Sequence, residues 1–181
     1  MQNLDQPFTF QFNVDASGTP EALSCKLKAA TIAIVDGAPS ADSITDSGNG
    51  FVVAGFQAGD LVAVSGSTAD DATYEVPTVV VGTLTLATRH SVTGEVAATN
   101  TITLTAEKVI PEGISVIIKA KYANTGTICV GYSSATALNT GTGYFNLRKN
   151  ESVALQVTKL SQIWLDATVS GEGVEIIFEK R

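Results

Sequence analysis

The chain has 181 residues, 44% hydrophobic and 16% charged, so it can bury a core and is too apolar to be disordered. Its formal net charge of −7, with a pI near 4.6, opposes contact with a phosphate backbone, and no nucleic-acid partner is expected. No apolar run reaches the roughly 18 residues of a membrane span, and MQNLDQPFTF lacks the basic start and apolar block of an export signal, which points to synthesis in a cytoplasm and no membrane partner.

Residues 1–25 contain QPFTFQFNV, in which Phe8, Phe10, Phe12 and Val14 alternate with Thr9, Gln11 and Asn13. That period of two places the apolar residues on one face of a strand. Such a stripe needs a sheet to cover it. The cover is either the chain's own domain or a neighbouring subunit. We take residues 1–25 as an N-terminal extended arm, with Phe8, Phe10, Phe12 and Val14 as candidate interface residues. Residues 20–30, PEALSCKLKAA, carry the chain's one helix signal, with Pro20 in the first turn and Glu21 near the positive end.

Residues 26–107 read as a small β-barrel or sandwich domain. Strands are predicted at 29–35, 51–54, 60–65, 73–81, 83–88 and 101–106, separated by the turn-rich DGAPSADS, GFQAGD and SGSTADDA. In VVVGTLTL two β-branched runs meet at Gly82, which predicts a tight turn or bulge. Residues 108–181 read as a C-terminal β-sandwich domain, with strands at 114–121, 126–131, 144–147, 152–157, 162–168 and 173–179. ANTG and SGEG are read as hairpin turns there. SSATALNTGTG, residues 133–143, is the longest loop-like segment. With the tyrosines beside it, it gives a candidate contact loop of Tyr132, Asn139, Thr140 and Tyr144. The fold class is therefore all-β: two small β-barrel or β-sandwich domains in tandem behind an extended arm.

Residues that could carry chemistry are sparse. His90 is the one histidine, and no GxSxG motif accompanies it, so it reads as an exposed loop residue and not as part of a triad. Cys25 and Cys129 form no CxxC and no zinc motif, and read as buried thiols in different domains. Asp36, Asp42, Asp46, Asp70 and Asp71 are oxygen-rich, but they miss the spaced calcium-loop pattern and read as turn residues. Glu172 and Glu175 give no sign of a cleft between facing carboxylates. Lys26 with Lys28, and Lys119 with Lys121, are the two basic pairs that alternate along a strand. Trp164, in QIWLDATV, has Ile163 and Leu165 on the opposite face, which suggests a strand covered on both sides; we read it as core before interface. Tyr122, Tyr132 and Tyr144 could line a sugar-binding surface but read as ordinary strand residues. Catalytic residues, metal ligands and cofactors are expected to be none, and the chain is not expected to be an enzyme.

Two stretches carry a family resemblance. GFQAGDLVAVSGSTADDATYEVPTVVVGTLTL is similar to a small β module of tailed-phage virion proteins, through Phe56, Gly59, Asp60, Ser65–Ser67, Ala72–Tyr74 and Leu84–Leu86. The stretch from Ile110 to Lys180 resembles a C-terminal β-sandwich of phage head and tail accessory proteins, through Asn124–Gly126, Val130, Gly131, Leu147, Glu151 and Ser152. The resemblance implies a virion structural protein, foremost a capsid decoration or cement protein on the exterior of the head. Its partner would be the major capsid protein, and it would form a homo-oligomer, a trimer. A tail, neck or baseplate component, or a receptor- or glycan-binding module, is the alternative. The resemblance supplies no catalytic residues.

Overall fold

The structure, a computed structural model, describes residues 8–138 and 145–180. Among the described residues the first elements are β1 (Phe8–Asn13) and β2 (Glu21–Ala22). It then builds β3 (Cys25–Ala29), β4 (Ile32–Val35), β5 (Ser43–Asp46), β6 (Asp60–Ser65), β7 (Thr73–Val76), β8 (Thr78–Val80), β9 (Thr83–Thr85) and β10 (Ile102–Ala106). It closes with β11 (Ile114–Ala120), β12 (Ile128–Gly131), a four-residue helix α1 (Ser134–Ala137), β13 (Phe145–Leu147), β14 (Ser152–Leu155), β15 (Trp164–Ala167) and β16 (Gly173–Lys180). The all-β class is as the strand patterns indicate.

Two compact units result. Cys25–Glu107 form one, and residues 8–24 with 108–180 form the other. The first is thus an insertion into the second, not its tandem partner. The inserted unit starts and ends on paired strands, because β3 and β10 are antiparallel with Cys25 opposite Ala106. Ends held side by side are what a domain insertion requires. In the split unit the turn Leu160–Gln162 holds both passages of the chain. Leu23 N–H donates to Ile163 O (2.8 Å) and Leu160 N–H donates to Lys108 O (3.0 Å).

The inserted unit has two four-stranded antiparallel sheets, ordered β3-β10-β6-β7 and β4-β5-β9-β8. Inward-facing residues recur at every second position, as in Val62 and Val64 on β6 or Ile102, Leu104 and Ala106 on β10. The split unit has sheets β1-β16-β11-β14 and β13-β12-β15-β2. Its core takes Phe10 and Phe12 from β1, Val116 and Ile118 from β11, Leu165 from β15 and Ile176 and Phe178 from β16. β12 is buried on both faces. A Cβ on Gly131 would lie 2.5 Å from the Thr136 carbonyl carbon, so that glycine lets α1 seat directly on the strand.

Several expectations need correction. Over its described residues the segment read as an arm belongs to a sheet: β1 pairs along its whole length with β16, Phe8 opposite Phe178 and Phe12 opposite Val174, and residues 1–7 lie outside the described residues. PEALSCKLKAA is strand, not helix. Leu23, Cys25 and Leu27 alternate there, and that period of two outweighs the Pro20 signal. Residues 51–54 lie in a tight turn, closed by Phe56 N–H donating to Phe51 O (3.1 Å), and Phe51 and Phe56 at its two ends are both buried, rings edge-on at 6.1 Å. The strand lies instead at β5, where Ile44 is opposite both Ile34 and Leu84. Pro77 lacks an N–H and cuts the predicted 73–81 strand into β7 and β8, which belong to different sheets. ANTG and SGEG join strands of different sheets and are corners, not hairpins. Val81 and Gly82 do form a two-residue hairpin loop between β8 and β9.

Candidate functional site

Two adjoining grooves lie in the split unit. One, of about 560 Å³, is lined by residues 110–114 and 156–158. The second, of about 390 Å³, shares Gln156, Val157 and Thr158 and adds Tyr132 and Gln162. They arise where β14 ends opposite Val116 while β11 continues back to Ile114. The Pro111-Glu112-Gly113 turn, with Gly113 at φ +81°, forms one lip. The opposite lip is fixed by the Gln162 side chain, whose Oε1 accepts from Thr158 N–H (2.8 Å), Thr158 Oγ1 (3.1 Å) and Lys159 N–H (3.1 Å). Ile110 N–H to Thr158 O (2.8 Å) ties the two lips at one end. The lining offers apolar side chains, amides and one carboxylate, Glu112. That chemistry suits contact with a polypeptide and includes no nucleophile–base pair.

The structure places Tyr132 in this lining, at 47% exposure. Its partners in the expected contact loop, Asn139, Thr140 and Tyr144, lie outside the described residues. The expected interface stripe lies elsewhere. Phe10, Phe12 and Val14 are 3%, 2% and 0% exposed inside their own unit. Phe8, half-buried at the end of β1, stacks on Phe178 at 5.5 Å. The stripe is buried within the chain's own unit, with β1 joined to the edge of the sheet beside β16.

The acidic side chains hold turns. Asp46 accepts from Thr31 Oγ1 (2.6 Å), Gly50 N–H (2.7 Å) and Gly48 N–H (3.0 Å). Burial works to raise its pKa, but these donors outweigh burial and hold the carboxyl below its usual range. Asp71 receives Ser67 Oγ and the amides of Ser67 and Gly66, which lower its pKa in the same way. Asp42 joins Gly37 N–H to Val92 N–H, and Asp36 accepts from Ala38 N–H. Asp70 Oδ1 accepts from Thr93 N–H, and Glu172 Oε1 accepts from Thr125 and Gly126 N–H. Among the described residues, no three His, Cys, Asp or Glu side chains gather as a metal would require.

His90 is half-buried, where an exposed residue was expected. Its Nε2 accepts from Glu75 N–H (3.0 Å) and its ring meets Tyr74 edge-on. Both cysteines are buried thiols outside any disulfide, one in each unit, and Cys25 Sγ donates to Gly55 O at 3.2 Å. Burial pushes the Cys129 thiol pKa up, and nearby Asp166 adds to the effect, so the thiolate nucleophile is disfavoured. Trp164 is half-buried on a strand otherwise buried on both faces. Lys119 pairs with Glu175 at 3.0 Å, and Lys121 Nζ donates to Asn13 Oδ1 at 2.8 Å.

Sequence reasoning missed Gln162, whose role depends on a turn with no strong signature. It also missed Lys108, 1% exposed, whose ammonium lies 5.7 Å from the Phe8 ring centroid. No family model, curated protein or solved structure matches the chain.

Proposed function

We propose that this chain is a virion structural protein, a capsid decoration protein that sits on the shell exterior and braces neighbouring major capsid proteins. One observation carries the reading: Asp36, Asp42, Asp46 and Asp71 are engaged by turn amides, while the concave surface presents apolar and amide groups beside the carboxylate of Glu112, a lining suited to a broad protein contact. The resemblance supports it through residues that here do structural work. Gly59 adopts φ +90°, Asp60 accepts from Gln57 N–H (2.8 Å), and Tyr74 Oη donates to Asp70 O (2.9 Å). A footprint of about 1,200–2,000 Å² of buried surface would give stable attachment without a reactive site.

The test is imaging of assembled particles that carry a tagged copy of the chain. Density repeated over the head lattice is expected. A ring at the neck, tail or baseplate would replace the head assignment with the tail reading. Absence from the particle would overturn both.

A further inference from the structure

In the inserted unit, β7 is the last strand of its sheet, and β6 pairs with it on one side. On its other side a turn of residues 87–90 takes both backbone groups of Glu75. Glu75 O accepts from Ala87 N–H (2.9 Å), and Glu75 N–H donates to His90 Nε2 (3.0 Å). The imidazole nitrogen stands in for the carbonyl that a further strand would supply. His90 N–H donates to Ala87 O (2.9 Å) and closes the turn. Arg89 pairs with the Glu75 carboxylate, and the His90 ring meets Tyr74 edge-on at 5.3 Å. Asp42 holds the chain on both sides of the turn: its carbonyl accepts from Leu86 N–H (2.8 Å) and its Oδ2 from Val92 N–H (3.0 Å). The charged and titratable groups around the ring are Tyr74 and Glu75 on β7, Arg89 on the turn itself, and Asp70, Asp71 and Asp42, whose charges reach Tyr74.

We propose that His90 is a proton-operated latch on the edge of β7: the neutral ring holds residues 87–90 over the strand, and the protonated ring releases them. A nitrogen that accepts an N–H must carry a lone pair, so the bond from Glu75 requires the ring proton on Nδ1. In an imidazolium both nitrogens are donors, and Nε2–H would then face the Glu75 N–H. Histidine is the side chain whose charge ordinarily changes between roughly pH 5 and pH 8. Protonation removes the acceptor of a half-buried amide and sets donor against donor, which disfavours the closed arrangement. The carboxylates of Asp42, Asp70 and Asp71 attract the added positive charge and Arg89 opposes it, but none of them replaces the lost acceptor. Because Asp42 anchors Leu86 and Val92, opening is confined to the turn between them. It leaves Glu75 with the bare N–H and C=O of an open edge strand. The inference concerns the inserted unit and does not depend on the virion role.

Nitrogen-15 NMR of the full chain at about pH 7.5 and about pH 5 tests it, one value on each side of ordinary imidazole titration. At the higher pH, His90 Nε2 should show the shift of an unprotonated nitrogen. Between the two, exchange protection of the Glu75 amide, corrected for the intrinsic pH dependence of exchange, should fall about 10-fold. The Val64 amide of β6, bonded to Ala72 O (2.8 Å), should keep its protection. His90→Phe retains a ring against Tyr74 and cannot accept, so its Glu75 amide should be weakly protected at both pH values. A proton on Nε2 at the higher pH overturns the latch, as does equal Glu75 protection at both pH values in the parent chain. So does a His90→Phe chain that keeps the parent's protection and pH step. Parallel loss at Val64 overturns it too, because that would be general acid unfolding and not release of the turn.

Discussion

Replacing Phe12 with Ala removes a side chain that is 2% exposed and sits opposite Val174 in the sheet of the split unit. Truncation of a buried phenylalanine costs about 3–5 kcal/mol. β1 is an edge strand and can settle inward, so we place the loss near 3 kcal/mol. With a urea slope of about 1.5 kcal/mol per molar, the midpoint should fall by about 2 M. Trp164 is the chain's one tryptophan and belongs to the split unit, so its fluorescence follows that unit alone. Phe8→Ala is the internal comparison: half-buried and stacked on Phe178, it should cost about 1 kcal/mol. If Phe12→Ala left the Trp164 transition where it was, β1 would not belong to this core, and the arm reading would stand again.

Asp46→Ala should cost the inserted unit about 3 kcal/mol, because two amides and a hydroxyl lose a charged acceptor in a site that is 3% exposed. The Asp46 pKa lies below its unfolded value, so its contribution is full above that value and is lost as pH falls through the folded one. Amide exchange at Gly48 and Gly50 should accelerate over that acid range in the parent chain and be fast throughout in the variant. Cys25 and Cys129 should resist a thiol reagent in native buffer and react separately as each unit unfolds in urea, a split followed by mass spectrometry. Gly131→Ala should cost about 1–3 kcal/mol, because its Cβ meets backbone at Thr136 and Ala137; calorimetry would show it. Tyr132→Ala should keep the fold, since the ring is 47% exposed, and weaken attachment to shells about 10-fold in a pelleting assay.

Strand existence was legible wherever alternation was clean. β6, β10, β11 and β16 follow from Val62/Val64, Leu104/Ala106, Val116/Ile118 and Ile176/Phe178, whose period of two is set by burial of one face. β5 was not legible: one isoleucine between Asp42 and Asp46 looks like a loop, and its strand character comes from partners on both sides. The insertion was hidden for the same reason. Nothing local in FTFQFN says that it pairs with residues 173–178, a contact between the two ends of the chain. The acidic loops are legible as turns where the carboxylate binds amides within five residues, as at Asp36, Asp46 and Asp71; the reach of Asp42 to Val92 and of Asp70 to Thr93 has no local signature. The grooves were not legible, because they form where β14 stops short of β11, a matter of register and not of composition.

The proposed bracing of a shell by this chain is tested by the release of packaged DNA under heat. Particles lacking the chain should release DNA at a lower temperature than complete ones, and purified chain added back should restore the higher temperature. Identical release with and without the chain would contradict the claim.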